Sequence, residues 1–367
     1  MQTTSENYLL DQEKHTYFHR FIAKNGEEFG LRFGTPRDAK ALSMIFKEVY
    51  GYKYAYPIVY DINHLKRELS NKNKFWIVGE LTNNHEIAGF GLIEKKRYIA
   101  HASQAVAKKK FHGLGILAKL GAAGVIYVIK MPQFKDVLRL DGETRGLKIG
   151  AQNLIRNAGA FPYGLIPAYI NYGDKRKFKI DETTPVPPLK EEAAFLYSII
   201  FNKLWRKRDK NVYLLNNGDF IFFYNYVKKM SNKMKKDRLN LERGKKDKGY
   251  ELYGFSKDLY EGRVSLYGYI KEKSLNNLLK TYHNWRILVW RIPTTQNGIH
   301  SMSLALEKGF NIVGYDIGFN NINWTLFDSV ILAYYPNGGS HVLKVKCMDE
   351  NRPLLNKIRE IFFSRVN

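Results

Sequence analysis

The sequence predicts an α/β chain of the α+β kind, built as two related halves, and three observations carry that expectation. Strand-type and helix-type periodicities succeed one another through the first half. Two short strands, KFWIVGEL and EIAGFGLIEK, flank the turn TNNH, the pattern of an antiparallel hairpin. Finally, QNLIRNAGAFPYG (152–164) and MSLALEKGFNIVG (302–314) share helix, glycine, strand and glycine at a constant offset of 150. Gly159 then matches Gly309, and Gly164 matches Gly314. Two copies are too few for a solenoid and indicate a duplicated domain.

The elements follow in order. Residues 1–28 are polar and read as an N-terminal extension. In LRFGTPRDAKALSMIFKEVYG a short strand leads to a helix that Thr35 can cap. Pro36 suits the first helical position and Asp38 complements the helix dipole. Ala39, Leu42, Ile45 and Phe46 keep helical spacing. YGYKYAYPIVYD (50–61) is an aromatic loop, and DINHLKRELS a second helix. After the hairpin, YIAHASQAVA forms a third strand that runs into KKKFHGLGIL (108–117). A helix is expected from Gly115 to Lys130, then the strand DVLRLDGE, the helix RGLKIGAQNLIRNAG stopped at Gly159, and the strand FPYGLIPAYI.

The proline-rich stretch DETTPVPPLKEE (181–192) reads as a linker, giving a first domain over 29–180 and a second over 193–367. The second half is expected to open with a helix, EEAAFLYSIIFNKLWRKR. Strands VYLL and FIFFYNY would follow around the turn NNGD. Residues 228–248 carry ten Lys/Arg against three Asp/Glu and read as a basic insertion, a solvated helix or loop. The alternative is contact with an acidic partner.

A net charge of +24 favours polyanionic partners, but lysine-rich usage also follows genome composition, so nucleic acid is not the favoured partner. Cys347 is the only cysteine, which excludes an intrachain disulfide; no Cys/His cluster suggests a metal. The first residues lack a basic stretch followed by an apolar one, and the most apolar segment (113–129) is short for a membrane span. A cytoplasmic protein is expected.

The stretch 108–117 places Gly113 and Gly115 between a strand and a helix start. Unpaired N–H groups and the positive dipole end converge at such a turn, and glycine lets an anion approach the backbone. His112 and Lys108, Lys109 and Lys110 would add positive charge. It is neither a Rossmann fingerprint, lacking the third glycine, nor a P-loop, lacking Gly-Lys-Ser/Thr.

Residues 31–170 resemble the GNAT superfamily of N-acyltransferases. QAVAKKKFHGLGILAKL is similar to that family's motif Val-x-Pro-x-(Tyr/Phe)-(Arg/Gln)-Gly-x-Gly-(Ile/Leu). Val106 ends the strand, His112 occupies the Arg/Gln position, and Gly113 and Gly115 are the loop glycines. LRFGTPRDAKAL and GLKIGAQNLIRNAGAFPYG resemble the opening and closing elements of such domains. The resemblance implies tandem GNAT-like domains, each a mixed, mostly antiparallel sheet flanked by helices. It implies acyl-CoA as co-substrate, bound by amides at His112, Leu114, Gly115, Ile116 and Leu117, with the thioester between strands at 101–107 and 137–143. The second half shows no glycine-rich turn between 250 and 290 and resembles a degenerate copy.

Acyl transfer to an amine needs a proton acceptor and a donor for the developing oxyanion. In the resemblance the amides of Gln104, Ala105 and Val106 polarise the carbonyl. Glu143 is the first candidate base; its alternative is a helix-capping carboxylate. Asp141 is the second, with a turn beside Gly142 as its alternative. His101 has a suitable intrinsic pKa, although a structural histidine explains it equally. Tyr163 and Tyr169 are candidate proton donors, since the tyrosine that many family members use falls at Ile155. Tyr52, Tyr54 and Tyr56 would line the acceptor side; packing is the alternative for every tyrosine. The function expected is acyl transfer from CoA to an amine of a peptide, protein or small molecule, by direct attack in a ternary complex. The alternatives are an aminoacyl-tRNA-dependent transferase with two GNAT-like domains, or a non-catalytic binding module.

Overall fold

The side chain of Asp38 does more than complement a dipole. It accepts from the Thr35 amide (2.7 Å) and from both Nη atoms of buried Arg32 (2.8 and 2.9 Å), while Arg32 Nε reaches Glu80 (2.9 Å). Burial alone would raise the Asp38 pKa, yet the Arg32 hydrogen bonds and charge hold it below the usual carboxylate range. This network anchors the start of the first helix on the sheet.

The computed structural model describes residues 16–181, 183–243, 251–338 and 344–363. They divide into two units, one ending at Gly142 but including 154–159, the other holding 143–153 and everything from Ala160 onward. In the first unit, β1 (His19–Ile22), β2 (Glu28–Phe33), β3 (Lys74–Leu81), β4 (Ile87–Lys96), β5 (Ile99–Ala107) and the start of β6 (Arg139–Arg145) lie side by side in that order. All neighbours are antiparallel except β5 and β6. Helices α1 (Ala39–Tyr50) and α2 (Ile62–Leu69) precede β3. A continuous helix, α3, runs through Ile116–Lys119, a π turn at Leu120–Gly124, and Val125–Lys130. Phe29, Phe46, Trp76 and Phe90 are fully buried between helices and sheet, each contributing about 1.5–3 kcal/mol. Within the stretch read as an extension, β1 is paired along its length with β2.

The second unit has the strand order β8 (Lys190–Ile200), β7 (Phe161–Tyr172), β14 (Asn311–Ile322), β15 (Thr325–Tyr334), β13 (Ile287–Pro293), β12 (Arg263–Tyr269), β11 (Leu252–Asp258). Its sheet too is mixed and mostly antiparallel, with β12 and β13 the parallel pair. Helix α4 (Ile149–Asn157) precedes β7. The others are α5 (Asn202–Lys207), α6 (Gly218–Ser231), α7 (Glu272–Thr281), α8 (Gly298–Glu307) and α9 (Arg352–Phe363). A separate parallel pair joins β9 (Asn211–Leu215) to β10 (Arg238–Glu242).

The offset of 150 is a structural repeat. Gly159 and Gly309 end their helices at positive φ (92° and 86°). The β7–β8 and β14–β15 ladders shift register at matching places, Pro162/Gly164 with Ile312/Gly314 and Ile166/Ile170 with Asp316/Asn320. Each second shift contains a left-handed residue, Ala168 (49°) and Gly318 (60°). Gly164 and Gly314 pair across β7 and β14, and a Cβ on Gly164 would stand 3.2 Å from the Gly314 Cα. The two copies meet where neither can carry a side chain.

Three readings of the second half need correction. EEAAFLYSIIF is not helical: its apolar run forms β8, buried on both faces, and only Asn202–Lys207 is helix. FIFFYNY is not a strand after a hairpin turn. Asn217 accepts from the Asp219 amide as a helix cap, and Phe220, Phe223, Tyr224 and Val227 are buried at helical spacing. The described part of the basic insertion is helix only to Ser231 and loop only over 232–237. It ends α6 and then forms β10; residues 244–248 lie outside the described residues. No helix among the described residues is long and apolar enough to cross a membrane.

Candidate functional site: an open turn after strand β5

Strand β5 carries one extra residue against β4. Val106 pairs with Phe90 and Ser103 with Leu92, so Gln104 and Ala105 oppose Gly91 alone. Gln104 adopts φ 54°, a strained value for a residue with a Cβ, and its Oε1 is buried without a partner among the described residues. Pairing with β6 runs from Ile99↔Arg139 to Ala102↔Gly142, whereas β5 continues to Ala107. Past the last pair, Ser103 and Gln104 are half-buried and Ala105 is exposed; Val106 returns to the core.

The chain then turns. Buried Phe111 meets Phe29 edge-on at 5.7 Å, and Ile116, 1% exposed, pins the other end. Gly113 (83°) and Gly115 (86°) are both left-handed, and a Cβ on either would have no atom within 4 Å. The open space lies on the side the glycines face. His112 and Leu114 donate their amides to Lys109 and Phe111. The amides of Gly113, Gly115, Ile116, Leu117 and Ala118 have no acceptor among the described residues. Four of these five are the donors that a helix start leaves unmet. The geometry therefore shifts the expected set: Gly113 and 115–118 present donors, while His112 and Leu114 close the turn itself.

The charge around the turn differs from the expected cluster. Lys108 and Lys110 both bind Glu86 (2.9 and 2.7 Å), and the Lys109 amide donates to Glu48 (2.8 Å). The His112 Nε2 donates to the Ala107 carbonyl (3.0 Å) as a brace across the strand end. The donors this turn presents are its open amides more than its side chains.

Candidate bases differ in availability. Asp141 is buried and accepts from the fully buried Arg139 at 2.8 Å, so it serves as a counterion. His101 is half-buried and stands in register between Glu94 of β4 and Asp141 of β6. Glu143 is half-buried and lies in the second unit, where its charge acts on Tyr169. Burial pushes the Tyr169 hydroxyl up to about 12, with the Arg263 charge opposing. Tyr169 thus stays protonated through neutral pH. Arg263 stacks on its ring at 4.1 Å. Tyr163 is buried, 4% exposed.

Sequence reading missed the cationic and aromatic residues whose charges act on Tyr169 and those packed with them. Arg291 donates to Asp316 (3.2 Å) and lies 4.7 Å from the Phe319 ring, on which Tyr267 stacks at 5.8 Å. They come from strands β12 to β14, and nothing local in those segments announces them. Of the loop tyrosines, Tyr54 is buried against Phe46 and Tyr50 (4.8 and 4.9 Å) and belongs to the core. Tyr52 and Tyr56 are half-buried; Tyr52 packs on Tyr60 beneath Lys47.

No protein-family model matches the sequence, and no curated protein does. Solved structures similar to the chain are N-acetyltransferases. Ribosomal-protein-S5-alanine acetyltransferase from Vibrio fischeri has 13% identity and a TM-score of 0.38, over 50% of this chain and 98% of its own. An acetyltransferase of the GNAT family from Streptococcus pneumoniae has 17% identity and a TM-score of 0.35, over 47% of this chain and 99% of its own. SpeG spermidine N-acetyltransferase from Vibrio cholerae has 11% identity and a TM-score of 0.37, over 47% and 93%.

Proposed function

We propose that the chain is an acyl-CoA-dependent N-acyltransferase whose turn at 111–118 holds the co-substrate's pyrophosphate. One observation carries this reading: five main-chain N–H groups, at Gly113 and 115–118, stand open at a helix start directly after a bulged strand. Two left-handed glycines with empty space beside them fit a diphosphate, which tolerates no Cβ there. Bound acyl-CoA would supply the acyl group as a thioester.

The chain's own residues divide the remaining work. Amides at Gln104, Ala105 and Val106 orient and polarise the carbonyl at the bulge, where fixed dipoles act without reorganising. Glu143 takes the proton of the attacking amine, and Tyr169, held protonated by burial, is the donor, with Tyr163 as the other candidate. His101 is the other candidate proton acceptor, and Asp141, the second candidate, is engaged by Arg139. The domain carrying this turn spans 29–180. The second, 193–367, is a degenerate copy, in whose turn the Ile270 and Lys271 amides are taken up by Ser301 and Glu251.

Calorimetry with CoA tests the reading. Gly115→Asp puts a carboxylate at the open amides and should weaken CoA binding by about 100-fold, as expected when charge-assisted hydrogen bonds become a repulsion. Wild type should bind one CoA per chain. Unchanged affinity in a variant with a wild-type melting curve would discard the proposal.

A further inference from the structure

The second unit holds a cavity of about 300 Å³ that the acyl-transfer reading does not use. Two basic stretches far apart in sequence build it. The first is α5 and the residues after it, with Trp205, Arg208 and Lys210; the second follows α6, with Lys233, Lys235, Lys236 and Asp237. The β9–β10 pair brings them together, and the Arg238 amide donates to the Lys210 carbonyl (2.8 Å).

The charges in this cavity are not balanced internally. Asp237 is its single carboxylate, and Arg208 takes it up through two hydrogen bonds (2.8 and 2.7 Å). Arg208 also binds Asp328, whose Oδ1 accepts from the Gly318 amide (2.9 Å), so its fork serves the fold. That leaves Lys210, Lys233, Lys235 and Lys236, all exposed, with no carboxylate within bridging distance among the described residues. Half-buried Trp205 adds an aromatic face beside them.

We infer that this cavity binds single-stranded nucleic acid, the lysines holding successive phosphates and the Trp205 indole stacking on an unpaired base. Lysine acts as a point charge suited to phosphate, whereas carboxylate recognition favours the arginine fork, which here is already spent. An aromatic face within a basic groove is the arrangement that holds single strands without reading their sequence. A duplex, whose bases are already stacked, gives Trp205 nothing to cover.

The test is fluorescence anisotropy of the full chain with a labelled oligouridylate of about 12 nucleotides, within the site sizes such platforms cover. Between about 50 and 200 mM salt, four phosphate contacts should give a log–log slope near −3, about −0.7 for each. Lys235→Gln with Lys236→Gln should reduce that slope by about 1.4. Trp205→Ala should weaken binding about tenfold or more, and Trp205→Phe much less. Lys273→Gln with Lys280→Gln removes the same charge from α7 and should leave affinity within about twofold, since neither lysine lines the cavity. Three results would each overturn the inference: equal weakening by the α7 pair, no effect of Trp205→Ala, or displacement of the RNA by oligoglutamate at equal charge. Should Trp205→Ala melt early, the lysine pair decides alone. CoA affinity should not move in any of these variants, which separates the site from the turn after β5.

Discussion

The turn after β5 and the turn after β12 both lie between a strand and the helix that crosses to a parallel partner, yet they differ in how far their amides are taken up. After β5, two left-handed glycines leave five amides without acceptors among the described residues. After β12, the Ile270 amide donates to Ser301 Oγ and the Lys271 amide to Glu251 Oε1 (both 3.1 Å). Glu272 then opens α7, so a carboxylate stands where a phosphate would have to bind. One topology thus leaves more or fewer main-chain donors open, depending on a few residues in one turn. The strands behind the turns differ too: β5 carries the bulge at Gln104, while β12 runs in unbroken register with β11 through Gly268. The two turns share a topology and differ in their local residues.

The largest effect expected from probing this comparison comes at the helix start after the parallel strand. Gly150, in α4, has open space where a Cβ would go. Gly298, which opens α8 and stands opposite Lys148 at the offset of 150, would place its Cβ on the Pro293 carbonyl oxygen. Gly298→Ala should therefore cost about 3 kcal/mol, as overpacking against main chain does. Gly150→Ala should gain about 0.5 kcal/mol through helix propensity. Urea titrations would show shifts of opposite sign. Losses of equal size would mean that both helix starts are built alike, against the comparison.

Much of the first half was legible because its signals are local. Thr35, Pro36 and Asp38 mark a helix start, TNNH marks a hairpin, and Gly113 and Gly115 mark a turn, each within a few residues. The repeat was legible because glycines that permit close approach, Gly164 and Gly314, are required in both copies. The second half misled where burial overrode periodicity. Strand β8 is apolar on both faces and has no alternation to read, and the aromatics of α6 carry high strand propensity although they lie at helical spacing. In the candidate site, the availability of a carboxylate was not legible at all. Whether Asp141 is a base depends on Arg139, and whether three lysines make a cationic patch depends on Glu86, which pairing alone brings near.

That last pairing gives the smallest effect and the finest test of how the open turn works. Glu86 accepts from Lys110 and Lys108, and the Lys110 hydrogen bond, followed by that of Lys108, holds its carboxyl below the ordinary value of 4.5. A carboxyl lowered in this way contributes stability above its unfolded pKa and loses it as pH falls through the folded one. Acid below about pH 4.5 should therefore begin to release both lysines while the rest of the turn stays in place. Glu86→Gln reproduces that release at neutral pH. If open amides dominate anion binding, freeing the two lysines should raise CoA affinity only about two- to fivefold at low salt, the range of exposed ion pairs, and the gain should vanish at about 1 M salt. A gain of 100-fold would make the lysines, held in check by Glu86, the true anion site. A loss of affinity would show that Glu86 shapes the turn, and that its openness depends on that one carboxylate as much as on the two glycines.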